Sequence, residues 1–340
     1  MTLKLFNLDL HISVIEDIKD ITNRLFGDKV EITNWSISGH NWVFNKPNPP
    51  FTPINQGTWK NISPKMVEEF HDIFDDMLQA YDGFIVTHTP VFCMLFEKYN
   101  KPILCINTCR YDQPFCWSKN QENAEWLNEG LRRMIGNHLL HIFSNNQADA
   151  NYILQKAGIQ TNVIPSLCLY TKATYTPTPG KDFVLHGDRQ EVPPCDLLLE
   201  KPANHSWKEL YEYRGIVHTP YEMSTMSIFE QVFAGVPLFF PTPDFYIKCV
   251  VNGTMSFISR YDKWSTGVSI ADMEVWMRAA DFYLIPHLYY YNSWEDLFQQ
   301  LSSFTDPKRE ARQIWIESVK KGVHEAWKGI FEMMFPELSN

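Results

Sequence analysis

Short apolar runs alternate with helically spaced apolar stripes along most of this 340-residue chain. Residues 3–10 read as a strand. Ser13 then opens a helix in which Val14, Ile15, Ile18, Ile21 and Leu25 recur at helical spacing; Ser13 and Glu16 suit a capping box and Gly27 supplies the stop. Residues 30–37 form the next strand, followed by a Pro-rich loop over 46–54 and a helix opened by Ser63 and Pro64, an N-cap and an N1 proline. Buried strands at 83–87 and 103–106 flank a helix expected to start at Thr89-Pro90. A helix near 122–134, a strand at 139–143, a helix capped by Ser144 and running through Gln155, and a short strand at 162–164 complete the first half.

Residues 170–181 (YTKATYTPTPGK) have a linker's composition, and the alternation resumes at Asp182. Strands are expected near 182–186, 215–219, 236–240 and 255–258, with helices near 271–280 and 293–303 and a long terminal stretch from Asp306. Strands separated by helices pair in parallel through right-handed crossovers. The fold class is therefore α/β, with doubly wound, Rossmann-like domains on either side of the linker.

The densest chemistry lies in YEMSTMSIFEQVFAGVPLFFPT, residues 221–242. A strand over 215–218 leads into a polar loop carrying Glu222. A helix follows with Ile228, Phe229, Val232 and Phe233 as its stripe, Glu230 two turns in, and Gly235 at its end. The first-turn amides near Ser224, Thr225, Met226 and Ser227 suit a diphosphate at the positive end of the helix dipole. Glu222 suits sugar hydroxyls and Glu230 a ribose. The plainer alternative is an ordinary αβ unit with a Ser227/Glu230 capping box.

These residues resemble the E-x7-E signature of glycosyltransferases of the GT-B fold, and AGVPLFFP matches the run that follows it in that family. The resemblance implies that Glu222 contacts the donor sugar and Glu230 the ribose. Met223, Ser224, Thr225 and Met226 stand where the family usually has glycines. It further implies two Rossmann-like domains facing across a cleft: residues 1–169, joined by a terminal helix 313–340, on the acceptor side, a linker 170–181, and residues 182–312 for the nucleotide-sugar donor.

Carried over position by position, His11 after the first strand takes the place of the general base of inverting relatives, and His88 that of a histidine near the donor sugar. Arg189, in the His186-Gly187-Asp188-Arg189 turn, takes the place of a phosphate-binding arginine; Lys201 follows at an unusual spacing. Arg110 and Asp112, with His40 after the second strand, are candidate acceptor contacts. Each has a structural alternative: His11 as a helix cap, His88 as part of a helix start, 107–112 as a plain surface loop, and Gly187-Asp188 as a turn. The implied reaction moves a sugar from a nucleotide diphosphate to a hydroxyl acceptor, with retention, without a metal and without a cofactor. An epimerase, a phosphorylase or a non-catalytic glycan binder are the competing readings.

Composition narrows the partners. The formal net charge of −10 comes without any Lys/Arg block, which disfavours nucleic acid and anionic lipid. No apolar stretch approaches a membrane span, and residues 1–14 lack a secretory leader pattern, so a cytoplasmic location is expected. The seven cysteines match no zinc spacing and read as structural thiols.

Overall fold

The alternation resolves into two separate sheets, each wholly parallel. They are seen in a computed structural model that describes residues 2–118, 120–187, 192–255 and 270–339. The chain divides into unit 1, Met1–Ser166 with Val323–Asn340, and unit 2, Leu167–Gly322. Two parallel α/β domains are what the GT-B resemblance leads one to expect.

The sheet of unit 1 contains β1 (Leu3–Asp9), β2 (Val30–Ser36), β3 (Gly83–His88), β4 (Ile103–Asn107), β5 (Leu140–Ser144) and β6 (Asn162–Val163), in the order β2-β1-β3-β4-β5-β6. Its main helices are α1 (Ile12–Phe26), α2 (Pro64–Leu78), α3 (Phe115–Ser118), α4 (Gln121–Gly136) and α5 (Gln147–Ala157). The α1 stripe is buried at Val14, Ile15, Ile18 and Ile21. At roughly 1.5–3 kcal/mol for each fully buried side chain of this size, that face rather than helix propensity holds α1 on the sheet. Phe6, Phe84 and Phe96 pack ring to ring in the core below β1 and β3.

Unit 2 contains β7 (Phe183–His186), β8 (Leu198–Glu200), β9 (Gly215–His218), β10 (Leu238–Pro241) and β11 (Tyr289–Tyr291), in the order β11-β10-β9-β7-β8. Its helices are α6 (Trp207–Leu210), α7 (Met226–Phe233), α8 (Pro243–Val251), α9 (Ile270–Arg278), α10 (Asp281–Leu284) and α11 (Trp294–Ser302). Helix α12 (Arg309–Met334) begins in this unit and ends in unit 1. Phe183, Phe239, Tyr289 and Phe304 form an aromatic cluster on the sheet.

Several local expectations are corrected. Helix α1 starts at Ile12 with His11 at the N-cap position, two residues before the expected cap, Ser13. Ser13 is therefore already helical, and Glu16 pairs with Lys19 (3.2 Å) and Lys46 (3.8 Å) instead of closing a capping box. Thr89-Pro90 opens a 3-10 helix, Pro90–Leu95. Ser144 remains in β5, paired with Asn107, and the cap of α5 is Asn146, whose side chain accepts from the Asp149 amide at 2.8 Å. The strand expected at 255–258 lies, beyond Met255, outside the described residues.

Candidate functional site

Both sheets carry the same reversal of strand order. In unit 1 the order turns about β1 and β3; in unit 2, read from β8, it turns about β7 and β9. At such a point the connections leave in opposite directions, opening a crevice beyond the carboxyl ends of the two central strands, where open α/β sheets bind ligands. Each crevice here is flanked by an imidazole pair: His11 and His88 in unit 1, His186 and His218 in unit 2.

In unit 2 a cavity of about 390 Å3 lies at this point, lined by Leu185 and His186 at the end of β7 and Gly187 after it, Glu200 at the end of β8 and Lys201 after it, and Tyr221 after β9. Gly187 stands so close to the next loop that an added Cβ would fall 1.7 Å from Thr219 Oγ1, so the backbone itself forms this wall. Register places His186 opposite His218, and their rings stack at 4.9 Å. The His218 ring continues onto Phe240 at 4.6 Å. Burial, reinforced by Lys201 and His205, pushes the His186 imidazole down to about 4, so it is neutral at pH 7. Burial likewise holds His218 well below the ordinary range, with His186 adding to the effect.

Helix α7 follows the cavity's third wall. Its N-cap is Thr225, whose side chain makes no cap bond but meets Ser227 Oγ at 2.9 Å. Backbone bonding starts with the Ile228 amide donating to Thr225 (3.1 Å), so the amides of Met226 and Ser227 precede the ladder. Gly235, at φ +85, ends the helix in the conformation that favours glycine. Ser224, Thr225 and Ser227 are half-buried and Met226 is buried. The Ser227/Glu230 capping box does not form, because Glu230 turns to other donors. Its carboxylate accepts from Tyr170 Oη at 2.6 Å and from Trp207 Nε1 at 2.9 Å. Burial raises the Glu230 pKa, opposed by these two donors and by Lys201. Glu222, half-buried, accepts from the Met223 amide at 3.0 Å. Arg189 lies outside the described residues.

In unit 1 the crevice is polar. Asp9, fully buried at the end of β1, accepts from Ser36 Oγ at 2.8 Å through one oxygen, while its Oδ2 has no hydrogen-bond partner among the described residues. Burial drives this carboxyl up to about 7, against the Ser36 bond that favours the anion. Both side-chain atoms of buried Asn107, at the end of β4, are also unpartnered among the described residues. His11 stacks on His88 at 6.1 Å with ring planes 10° apart. His11 reaches solvent, yet surrounding protein and then His40 hold its pKa below the usual imidazole value. His88 has φ +81, a left-handed conformation rare outside glycine, and Cys109 Sγ donates to its carbonyl at 3.1 Å. His40 is exposed.

Arg110 and Asp112, expected on an accessible loop, are turned inward. Arg110 is buried, and half-buried Asp112 accepts from Tyr152 Oη at 3.2 Å, its pKa raised by burial. Sequence reasoning missed Asp9, Tyr170, Trp207 and Tyr221. Asp9 ends a strand that reads as apolar, Tyr170 sits in a linker-like segment, and Trp207 was one aromatic among many. Only their places beside the two reversals mark them. Lys201, at the wrong spacing for the resemblance, lies in the cavity all the same.

No family model matches the chain, and no curated protein matches it. Comparison with solved structures finds the glycosyltransferase SnogD from Streptomyces nogalater, 9% identical, TM-score 0.49, covering 94% of this chain and 96% of that one. It also finds the calicheamicin glycosyltransferase CalG4 (8% identical, TM-score 0.43, 100% of both chains). A third is a putative UDP-N-acetylglucosamine 2-epimerase from Listeria monocytogenes (10% identical, TM-score 0.44, 84% of this chain and 95% of that one).

Proposed function

We propose that the chain is a glycosyltransferase that moves a sugar from a nucleotide-diphosphate sugar to a hydroxyl acceptor, with retention and without a metal. The observation that carries this reading is the cavity at the strand-order reversal of unit 2, walled by Lys201 and His186 and followed by the E-x7-E segment, with Glu222 in the loop and Glu230 in helix α7. The diphosphate lies against the first-turn amides of α7 and Lys201, a preorganised set of donors for the negative charge of the leaving group. Glu222, ahead of the helix, takes a hydroxyl of the donor sugar. Glu230 takes the ribose through lone pairs left over from Tyr170 and Trp207, which fix its carboxylate. The hydroxyl acceptor is bound by unit 1, through His40 and His88.

Thermal shift and calorimetry against UDP, GDP, CDP, ADP and their sugars test the donor site; no stabilisation by any of them ends this reading. Transfer should persist in EDTA, and its loss with recovery on manganese rules out the metal-free mechanism. Glu222→Ala should lower turnover far more than affinity for the free nucleoside diphosphate. His11→Ala should be nearly silent under retention; a loss of about 10²–10⁴-fold with an inverted product identifies His11 as a general base.

A further inference from the structure

The two imidazoles at the reversal of unit 2 are joined by a third side chain. Gln231, buried on α7, reaches both: its Oε1 stands 2.7 Å from His218 Nε2, and its Nε2 stands 3.4 Å from His186 Nδ1. An amide oxygen only accepts and an amide nitrogen only donates. His218 Nε2 therefore carries a proton, and His186 Nδ1 is an acceptor. The distances support this amide orientation, since 2.7 Å belongs to the short end of N–H···O bonds and is tight for a contact between two nitrogens. With Nδ1 accepting, a neutral His186 carries its proton on Nε2.

We propose that Gln231 and His218 are positioning residues that lock His186 as its neutral Nε2–H tautomer, so that the cavity offers an uncharged donor to a phosphate oxygen of its ligand. The proposal rests on the donor-site reading for its ligand, and on the hydrogen-bond geometry alone for the tautomer. The relay is short and internal. Strand register sets His186 beside His218, ring stacking from His218 through Phe240 to Phe282 fixes the His218 plane, and α7 carries the amide between them. Among the described residues, the titratable groups around His186 are Glu200 at the end of β8, Lys201 after it, His205 ahead of α6, His218 on β9 and Tyr221 ahead of α7. Burial is the largest influence on His186, and Lys201 and His205 oppose protonation in the same direction. The cavity thus gains a donor whose state stays constant from mildly acidic to mildly basic pH, beside a cation, Lys201, that supplies the charge.

Long-range 1H–15N correlation spectra of the ligand-free native protein decide this, with His186 assigned by the signals missing from His186→Gln. The expected result is a protonated Nε2 and a pyridine-like Nδ1, unchanged from pH 8 to pH values well below the ordinary imidazole range. A protonated Nδ1, or an imidazolium forming near pH 6.5, overturns the proposal. Gln231→Glu should reverse the pattern: a carboxylate accepts from both rings, so His186 should gain an Nδ1 proton and titrate at higher pH. UDP affinity of this variant relative to native should then change with pH across that titration; a constant ratio counts against the relay. The native spectra need no ligand to bind. Failure of the native protein to bind UDP at all therefore falls on the donor-site reading and not on the tautomer.

Discussion

The two units share a strand-order reversal and place an imidazole pair at it, but they treat buried charge in opposite ways. In unit 2 the acid of the site, Glu230, is held by a phenol and an indole, and the two imidazoles are joined through Gln231. Farther along, buried Arg312 forms a two-pronged pair with Asp306 (2.7 and 3.1 Å) and donates to the Gly235 carbonyl at 3.2 Å, tying the start of α12 to the end of α7. In unit 1 the fully buried Asp9 has one unpartnered oxygen among the described residues, Asn107 has two unpartnered atoms, and His88 sits on strained backbone. Buried polar atoms are nearly always bonded, and exceptions gather where function needs them. Unit 2 closes hydrogen bonds around Glu230, His186 and His218, whereas unit 1 leaves Asp9 Oδ2 and both side-chain atoms of Asn107 unpartnered among the described residues.

The sharpest way to break this comparison is to remove one charge from each unit. Arg312→Met should destabilise the protein by about 3–5 kcal/mol, because it strands Asp306 with little more than the Tyr289 hydroxyl at 2.8 Å. Urea denaturation measures it, and a loss below about 1 kcal/mol would mean that the pair is not held as described. Asp9→Asn should act in the other direction. Folded Asp9 keeps its proton up to about pH 7, whereas an unfolded aspartate releases it near 4, so the folded state holds more protons across that window and stability falls as pH rises through it. The variant should therefore gain up to about 4 kcal/mol over native at pH 8 and almost nothing at pH 4. A destabilised Asp9→Asn at pH 8 shows that the carboxylate is paired after all.

Glu230→Gln should weaken nucleoside diphosphate binding by roughly 1–3 kcal/mol in calorimetry, the scale of a charged hydrogen bond, while native-like melting shows that Tyr170 and Trp207 still pack. Helix caps provide the smallest test. Asn146→Ala in unit 1 should cost about 1 kcal/mol, because its side chain satisfies the Asp149 amide. Thr225→Ala in unit 2 removes no cap bond and should cost a few tenths at most. Equal losses would show that the start of α7 is not kept open in the way a ligand requires.

The α/β alternation was legible because each central strand is a short apolar run and each long helix shows one apolar stripe. The two edge strands of unit 2 were not, although those of unit 1, β2 and β6, were. Leu198–Glu200 and Tyr289–Tyr291 are three residues long, too short for a period to show, and the neighbouring strand alone selects their extended backbone. Of the proposed donor site, the helix with Glu230 and the preceding loop with Glu222 could be read from spacing, since strand, loop, helix and stop fall within one short segment. The partners of Glu230 could not, because Tyr170 and Trp207 lie 60 and 23 residues away along the chain. Arg110 and Asp112 show the opposite error. Charged residues in a loop suggested a surface, whereas tertiary packing buries Arg110 and sets Asp112 against Tyr152.

Unit 1 is assembled from two stretches of chain with the whole of unit 2 between them. The later stretch is not decoration: Trp327 packs on Phe143 and Phe331 on Phe26, and Phe335 lies so near Gly83 that a Cβ there would fall 2.9 Å from its ring. A ribosome delivers residues 167–322 before 323–339. The second unit can therefore complete itself first, while the N-terminal sheet waits with one face of its core uncovered. Until the last stretch arrives, Phe26 and Phe143 lack the rings of Phe331 and Trp327 that pack on them in the finished unit.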